Sequence, residues 1–345
     1  MINNFFTYPM RIFFLTSAAC AVLGATIFFT PTDFVSLHKF IFLHLFLALA
    51  YAGFLLTGLT DWTNFSSSLK VHAYILFSLF ATSFIAALFS LFLAHFFITL
   101  FWAYLVMLCL YMIWRDKNLD QFGVLGFLFG ILGFEIYYLI SANEKFLNLQ
   151  IYLHIIAILL ISYRVSVVLG KEALKRENDM DEAIFVPNFI YKNIAICMTC
   201  AFLLFNIFFG HYKELFRHSF VLLYYFMQLF LAVGFFGIGF SGIFGLHLET
   251  NFMHLIAINA VVFSVMLIFN VAGLRHSGQE LEFLRLSKIA FILVFLVGIS
   301  RGILAYFWSG FYIHLPATLI AIAFIFWLIN FYAIFRDNDF SDDPE

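Results

Sequence analysis

His254 and His276 bracket an almost purely apolar run, HLIAINAVVFSVMLIFNVAGLRHSGQ, and stand twenty-two positions apart. Neutral imidazole is a common ligand for copper and for haem iron, so each end of this run carries a metal-competent group. On a helix the two would lie roughly 33 Å apart, about the thickness of a bilayer's hydrocarbon core. At about 100° per residue the second ring returns to within roughly 40° of the first, so both face one side of the helix. His38 and His154 also fall at or near the ends of apolar runs, where water reaches them. For any single histidine of this kind the plainer role is interfacial anchoring or a hydrogen bond to a loop. His38 and His44 are separated by roughly 240° on an undistorted helix and cannot bind one metal together. His44 lies deeper and reads as the more internal of the two.

Charge inside apolar runs is the second source of chemistry. Glu135, Arg164 and Arg301 fall within or near such runs, where an unpaired charge is costly. Glu135, in LGFEIYYLI, is the deepest, and an arginine is its expected partner. Ion pairing is the plain role of these groups. A proton path is one functional alternative; anchoring of haem propionates, which suits arginine's planar fork, is another. Arg164 lies near the end of its run and can snorkel. CMTC, Cys197 to Cys200, puts two thiols on one helix face, but no histidine follows, so it is not a c-type haem attachment site. Soft thiols suit Cu(I), although apolar cysteines are more often inert.

The elements that must position these groups follow from composition. The chain is 64% hydrophobic and only 11% charged, and its mean hydropathy is +1.01. Soluble domains carry roughly 25% charged residues, so this chain cannot cover itself with polar surface. It is expected to be an all-α, polytopic transmembrane bundle of eleven or twelve spans, centred near residues 20, 49, 81, 104, 131, 160, 199, 231, 263, 297 and 324. Residues 1–345 read as one integral membrane domain, and the polar loop 171–187 connects its two halves. No internal repeat is evident. No basic patch suggests nucleic acid. Basic residues flanking the spans give conflicting orientations and leave sidedness open. Two stripes of small residues, Gly123, Gly126, Gly130 and Gly133, then Gly234, Gly237, Ser241 and Gly245, are expected to allow close helix packing.

Several stretches resemble the NnrS family of membrane proteins. MRIFFLTSAACAV is similar to its arginine and paired phenylalanines, carried here by Arg11, Phe13 and Phe14. AGFLLTGLTDWT resembles its GFLLTA-x-x-x-W-T signature, with Trp62 and Thr63 retained. The run from His254 resembles the family's histidine span ending in H-T-G-R and keeps His254, His276 and Gly278, while Gln279 replaces the arginine. HIIAILLISYR resembles the segment running from a histidine, His154, to a turn that ends in arginine, Arg164. Of the family's W-H-x-H-E cluster only His38 stays, with Phe40 and Ile41 at the other two positions.

What the resemblance implies is a multi-pass protein of a bacterial inner membrane that binds haem b and copper and takes part in denitrification or tolerance of nitric oxide. Under it, His254 and His276, then His154 and His38, are the candidate haem and metal ligands. Arg164 and Arg301 are the candidate propionate partners. Besides lipid, the implied partners are nitric oxide and respiratory enzymes. Two other roles compete: a proton-coupled transporter of a metal, haem or small solute with Glu135 as carrier, and a factor that delivers metal or haem to respiratory enzymes. No reaction is assigned.

Overall fold

In lipid the backbone has no water to bond to, and long apolar runs therefore close their hydrogen bonds within helices. The computed structural model describes residues 2–29, 35–63, 65, 67–117, 122–147, 149–158, 161, 217–308 and 311–338. Nine of the described helices are long and apolar enough to cross a membrane. In chain order they are α1 (Pro9–Phe29), α2 (Val35–Trp62), α3 (Lys70–Ala87), α4 (Leu91–Asp116) and α5 (Gly123–Ser141), then α7 (Ser219–Phe244), α8 (Glu249–Arg275), α9 (Arg285–Tyr306) and α10 (His314–Asp337). A shorter apolar helix, α6 (Lys145–Ile158), stands between α5 and α7. No strand occurs among the described residues. The chain is a polytopic helical membrane bundle, as its composition requires. The span centres expected at residues 160 and 199, the loop 171–187, Arg164 and the CMTC pair lie outside the described residues.

The helices fall into two compact units. The first is Met1–His154 with Val271–Glu282 and Phe324–Glu345; the second is Ile155–Asn270 with Phe283–Ala323. In the first, α2 is the most buried span, at 83%, and α1 lies against it. That contact rests on a missing side chain: a Cβ on Gly53 would stand 2.7 Å from the Phe14 ring. Arg11 is almost fully buried and donates to the carbonyls of Phe335 and Asn338, at 2.8 and 2.9 Å. Its guanidinium thereby serves the C-terminal end of α10, where carbonyls lack helical partners and the helix dipole favours a cation.

In the second unit α8 is buried to 78% and packs on α7. Side chains of Ile256 and Phe252 fill the space above Gly234 and Gly237, so this small-residue stripe does allow close packing. Ser241 extends it by accepting from the Leu248 amide at 2.8 Å and donating to Glu249 at 3.0 Å. The earlier stripe behaves differently. Gly123, Gly126 and Gly133 meet nothing within 4 Å among the described residues, and Gly130 alone touches a neighbour, Leu153.

One construction occurs in both units and was not legible as a repeat. In α2 a π-helical segment, Phe40–Phe46, interrupts the α-helix. In α8 the segment Ala257–Val262 does the same. Such insertions shift the helix face and are frequent at functional sites. Ser17 donates to the carbonyl of Phe46 at 2.7 Å, at the end of the first segment. Side-chain donors of this kind restore backbone pairing where the helical register changes.

Candidate metal centre

The π-segment of α2 ends in FLHLF and aims His44 into the core of the first unit, where only 3% of it is exposed. His95 on α4 and Glu135 on α5 meet it there, at 4% and 0% exposure. The Nδ1 of His44 lies 2.6 Å from Oε1 of Glu135, and the Nδ1 of His95 lies 2.9 Å from Oε2. Gln150 on α6 donates its Nε2 to Oε1 at 3.1 Å. The two imidazole rings stand 4.6 Å apart, nearly perpendicular. Phe40 packs against both rings, at 5.6 and 4.9 Å, and Tyr138 against His95 at 4.5 Å. Apolar spans carry each polar group in, and aromatic walls keep water away.

An ionised carboxylate only accepts hydrogen bonds, so each Nδ1 facing Glu135 carries a proton when no metal is bound. One potential ligand atom from each of His44, His95 and Glu135 lies within 4.8 Å of the other two. Two nitrogen ligands of one ion, each bonded at about 2.1 Å, stand no more than about 4.2 Å apart. Closing the group on one ion therefore requires these ligand atoms to draw together. The chemistry fits as well, because a cation offsets the buried carboxylate, whose charge is otherwise costly in an apolar core.

The residues singled out from sequence have definite positions. His254 has both ring nitrogens engaged: Nδ1 donates to the Thr250 carbonyl at 2.7 Å, and Nε2 accepts from Arg301 at 3.0 Å. Arg301 also donates to the Tyr312 carbonyl at 2.8 Å and lies over the Tyr312 ring. His276, just past the end of α8, stands 3.7 Å from the Asp61 carboxylate. His38 bonds the Gly24 carbonyl at 2.9 Å and packs on Phe28 and Phe42. His154 is fully buried, with Nδ1 3.2 Å from the Tyr51 hydroxyl. Arg164 lies outside the described residues.

One expectation changes. An arginine was the expected partner of Glu135, yet its oxygens are taken by two histidines and a glutamine. Arg301 is engaged by His254 and Tyr312 instead. Three donors from neighbouring spans satisfy the carboxylate without a long cationic chain crossing the core. The sequence reading also overlooked His95. Its signal was present, since LAHFF is as apolar a setting as FLHLF, and a histidine so placed needs a polar partner at its own depth.

This fold and this buried group define a class: a multi-pass helical membrane protein whose core holds two histidines and one carboxylate fit for a metal ion. The chain belongs to the NnrS family, whose model, described as NnrS protein, matches residues 4–338. No curated protein and no solved structure matches it. Family membership supports a place in the nitric-oxide response for this membrane protein.

Proposed function

We propose that the protein is a copper- and haem-binding component of the nitric-oxide stress response or of denitrification, in a bacterial inner membrane. The observation that carries this is the convergence of His44, His95 and Glu135 within 4.8 Å in a buried core. Copper is assigned to that group, where imidazoles are suitable ligands and the carboxylate supplies charge. Bound there, copper would supply one-electron chemistry or a coordination position for a small ligand. The residues themselves hold the ion, orient it through fixed rings and exclude water.

Haem is assigned to His254, with Arg301 as the propionate partner. Arg301 supplies the planar fork that suits a haem carboxylate, and His254 Nε2, which accepts from Arg301 at 3.0 Å, would have to give up that bond to reach iron. His38, His154 and His276 are the remaining candidates, and Arg164 is the second candidate propionate partner. Respiratory enzymes are proposed partners only through this setting.

The carboxylate favours a second metal. Two histidines and one carboxylate are also the donor set of non-haem ferrous iron. Metal analysis of protein purified from cells replete in copper, iron and haem separates these outcomes. About one copper per chain, lost in His95→Ala, is the expected result. Iron lost in the same variant selects the second metal. No metal, or metal retained in both His44→Ala and His95→Ala, defeats the assignment. A Soret band that persists in His254→Ala removes His254 as the haem ligand.

A further inference from the structure

The metal group stands close to one end of the helices that build it. His95 lies four residues from the start of α4, Glu135 six from the end of α5 and Gln150 five from the start of α6. At the helical rise these are about 6, 9 and 8 Å. The far ends of α4 and α5 are about 32 and 18 Å away. His44 too is nearer to Val35 than to Trp62. Toward the far ends, Tyr51, Trp102 and Phe127 close the core: all three are buried, and the Tyr51 ring packs on the other two at 5.9 and 5.5 Å. The near ends are joined by the turns α3–α4 and α5–α6, and the second carries the exposed Glu144.

The two ends of this unit differ in charge. At the far end, contacts tie the helix termini into one face. Arg11 at the start of α1 bonds the end of α10, and Gln279, beyond α8, donates to Asn338 at 3.0 Å. His276 stands by Asp61 at the end of α2, and Arg115 of α4 lies over Phe65, which follows α2, at 5.6 Å. Among the described residues of the unit this face carries Arg11, Lys70, Arg115, Lys117, Arg275 and Arg336, whereas the near end carries Lys39 and Lys145. Cytoplasmic loops hold the excess of lysine and arginine, and acidic residues count for little. Sorting the helix ends by their contacts thus removes the conflict that chain order alone leaves.

We propose that the basic face is cytoplasmic and that the metal group is served from the opposite, extracytoplasmic side, its ion arriving and leaving by the α5–α6 end of the first unit. An ion from the cytoplasm would have to pass the Tyr51, Trp102 and Phe127 layer, where an unpaired charge is costly. From the other side it crosses one to two helical turns. The turn that bears Glu144 gives a cation a carboxylate to approach on that side. The sidedness follows from the helix ends and their charges alone; the cargo rests on the metal assignment.

Two measurements on the full-length protein test this. Green fluorescent protein or alkaline phosphatase fused to the C-terminus reports the side on which α10 ends, since the first matures in the cytoplasm and the second outside it. A fluorescent fusion with an inactive phosphatase is expected, as is labelling of Glu144→Cys above the parent level by a membrane-impermeant maleimide in spheroplasts. A dark fusion with an active phosphatase, or a Glu144→Cys variant labelled only in inverted vesicles, overturns the sidedness. Copper-loaded protein in right-side-out and inverted membrane vesicles is then exposed to a membrane-impermeant copper chelator, with His95→Ala marking the copper that belongs elsewhere. Loss at least tenfold faster from right-side-out vesicles is expected. Equal loss, or faster loss from inverted vesicles, overturns the route. Protein without copper in either preparation defeats the metal assignment and the route with it, while the fusions and the label still decide which way the group faces.

Discussion

Nδ1 of His44 lies 2.6 Å from Oε1 of Glu135, although ninety-one residues separate them in the chain. The contact joins a π-helical turn of α2 to the middle of α5, and His95 completes it from α4. A carboxylate buried this fully persists only if its charge is compensated. Its partners, His44 and His95, are side chains of the kind that ligate metal ions, so the cluster that stabilises the fold is also the candidate metal site.

Glu135→Ala should destabilise the metal-free protein by about 3–5 kcal/mol, because two buried histidines and Gln150 lose their acceptor. Glu135→Gln keeps the shape and one acceptor oxygen, so its loss should be smaller. Thermal unfolding in detergent micelles checks both. Equal unfolding temperatures for Glu135→Ala and the parent would show that the cluster contributes nothing.

A bound ion stabilises the fold by linkage, about 2.7 kcal/mol when its free concentration is a hundredfold above Kd. Treatment with a strong chelator should therefore lower the unfolding temperature of the parent but not of His95→Ala. An identical drop in both proteins would place the metal elsewhere.

Arg11→Met retains the apolar stem yet removes the donors to Phe335 and Asn338. Hydrogen bonds from a charged group contribute about 1.5–3 kcal/mol, and the expected destabilisation is of that order. It should appear as increased protease cleavage near the C-terminal end of α10. Cleavage unchanged from the parent would mean that the α10 carbonyls find other donors.

Composition alone settled the class of fold. A chain with so few charges has no polar surface to show water, and lipid leaves the backbone only helical solutions at these lengths. Motifs around Arg11, Trp62, His154 and His254 also led to the NnrS family before any contact was known. Individual residues were partly legible. His44 read as internal and Glu135 as needing a partner, because a polar group deep in an apolar run is costly wherever the bundle places it. Which groups meet was another matter. Helical periodicity assumes an unbroken 3.6-residue turn, and the π-segment at Phe40–Phe46 interrupts that register just where His44 sits. His95 looked like any apolar-run histidine until α4 was set beside α2 and α5. Pairing among His44, His95, Glu135 and Gln150 is a relation between four helices, and only their packing in three dimensions decides it.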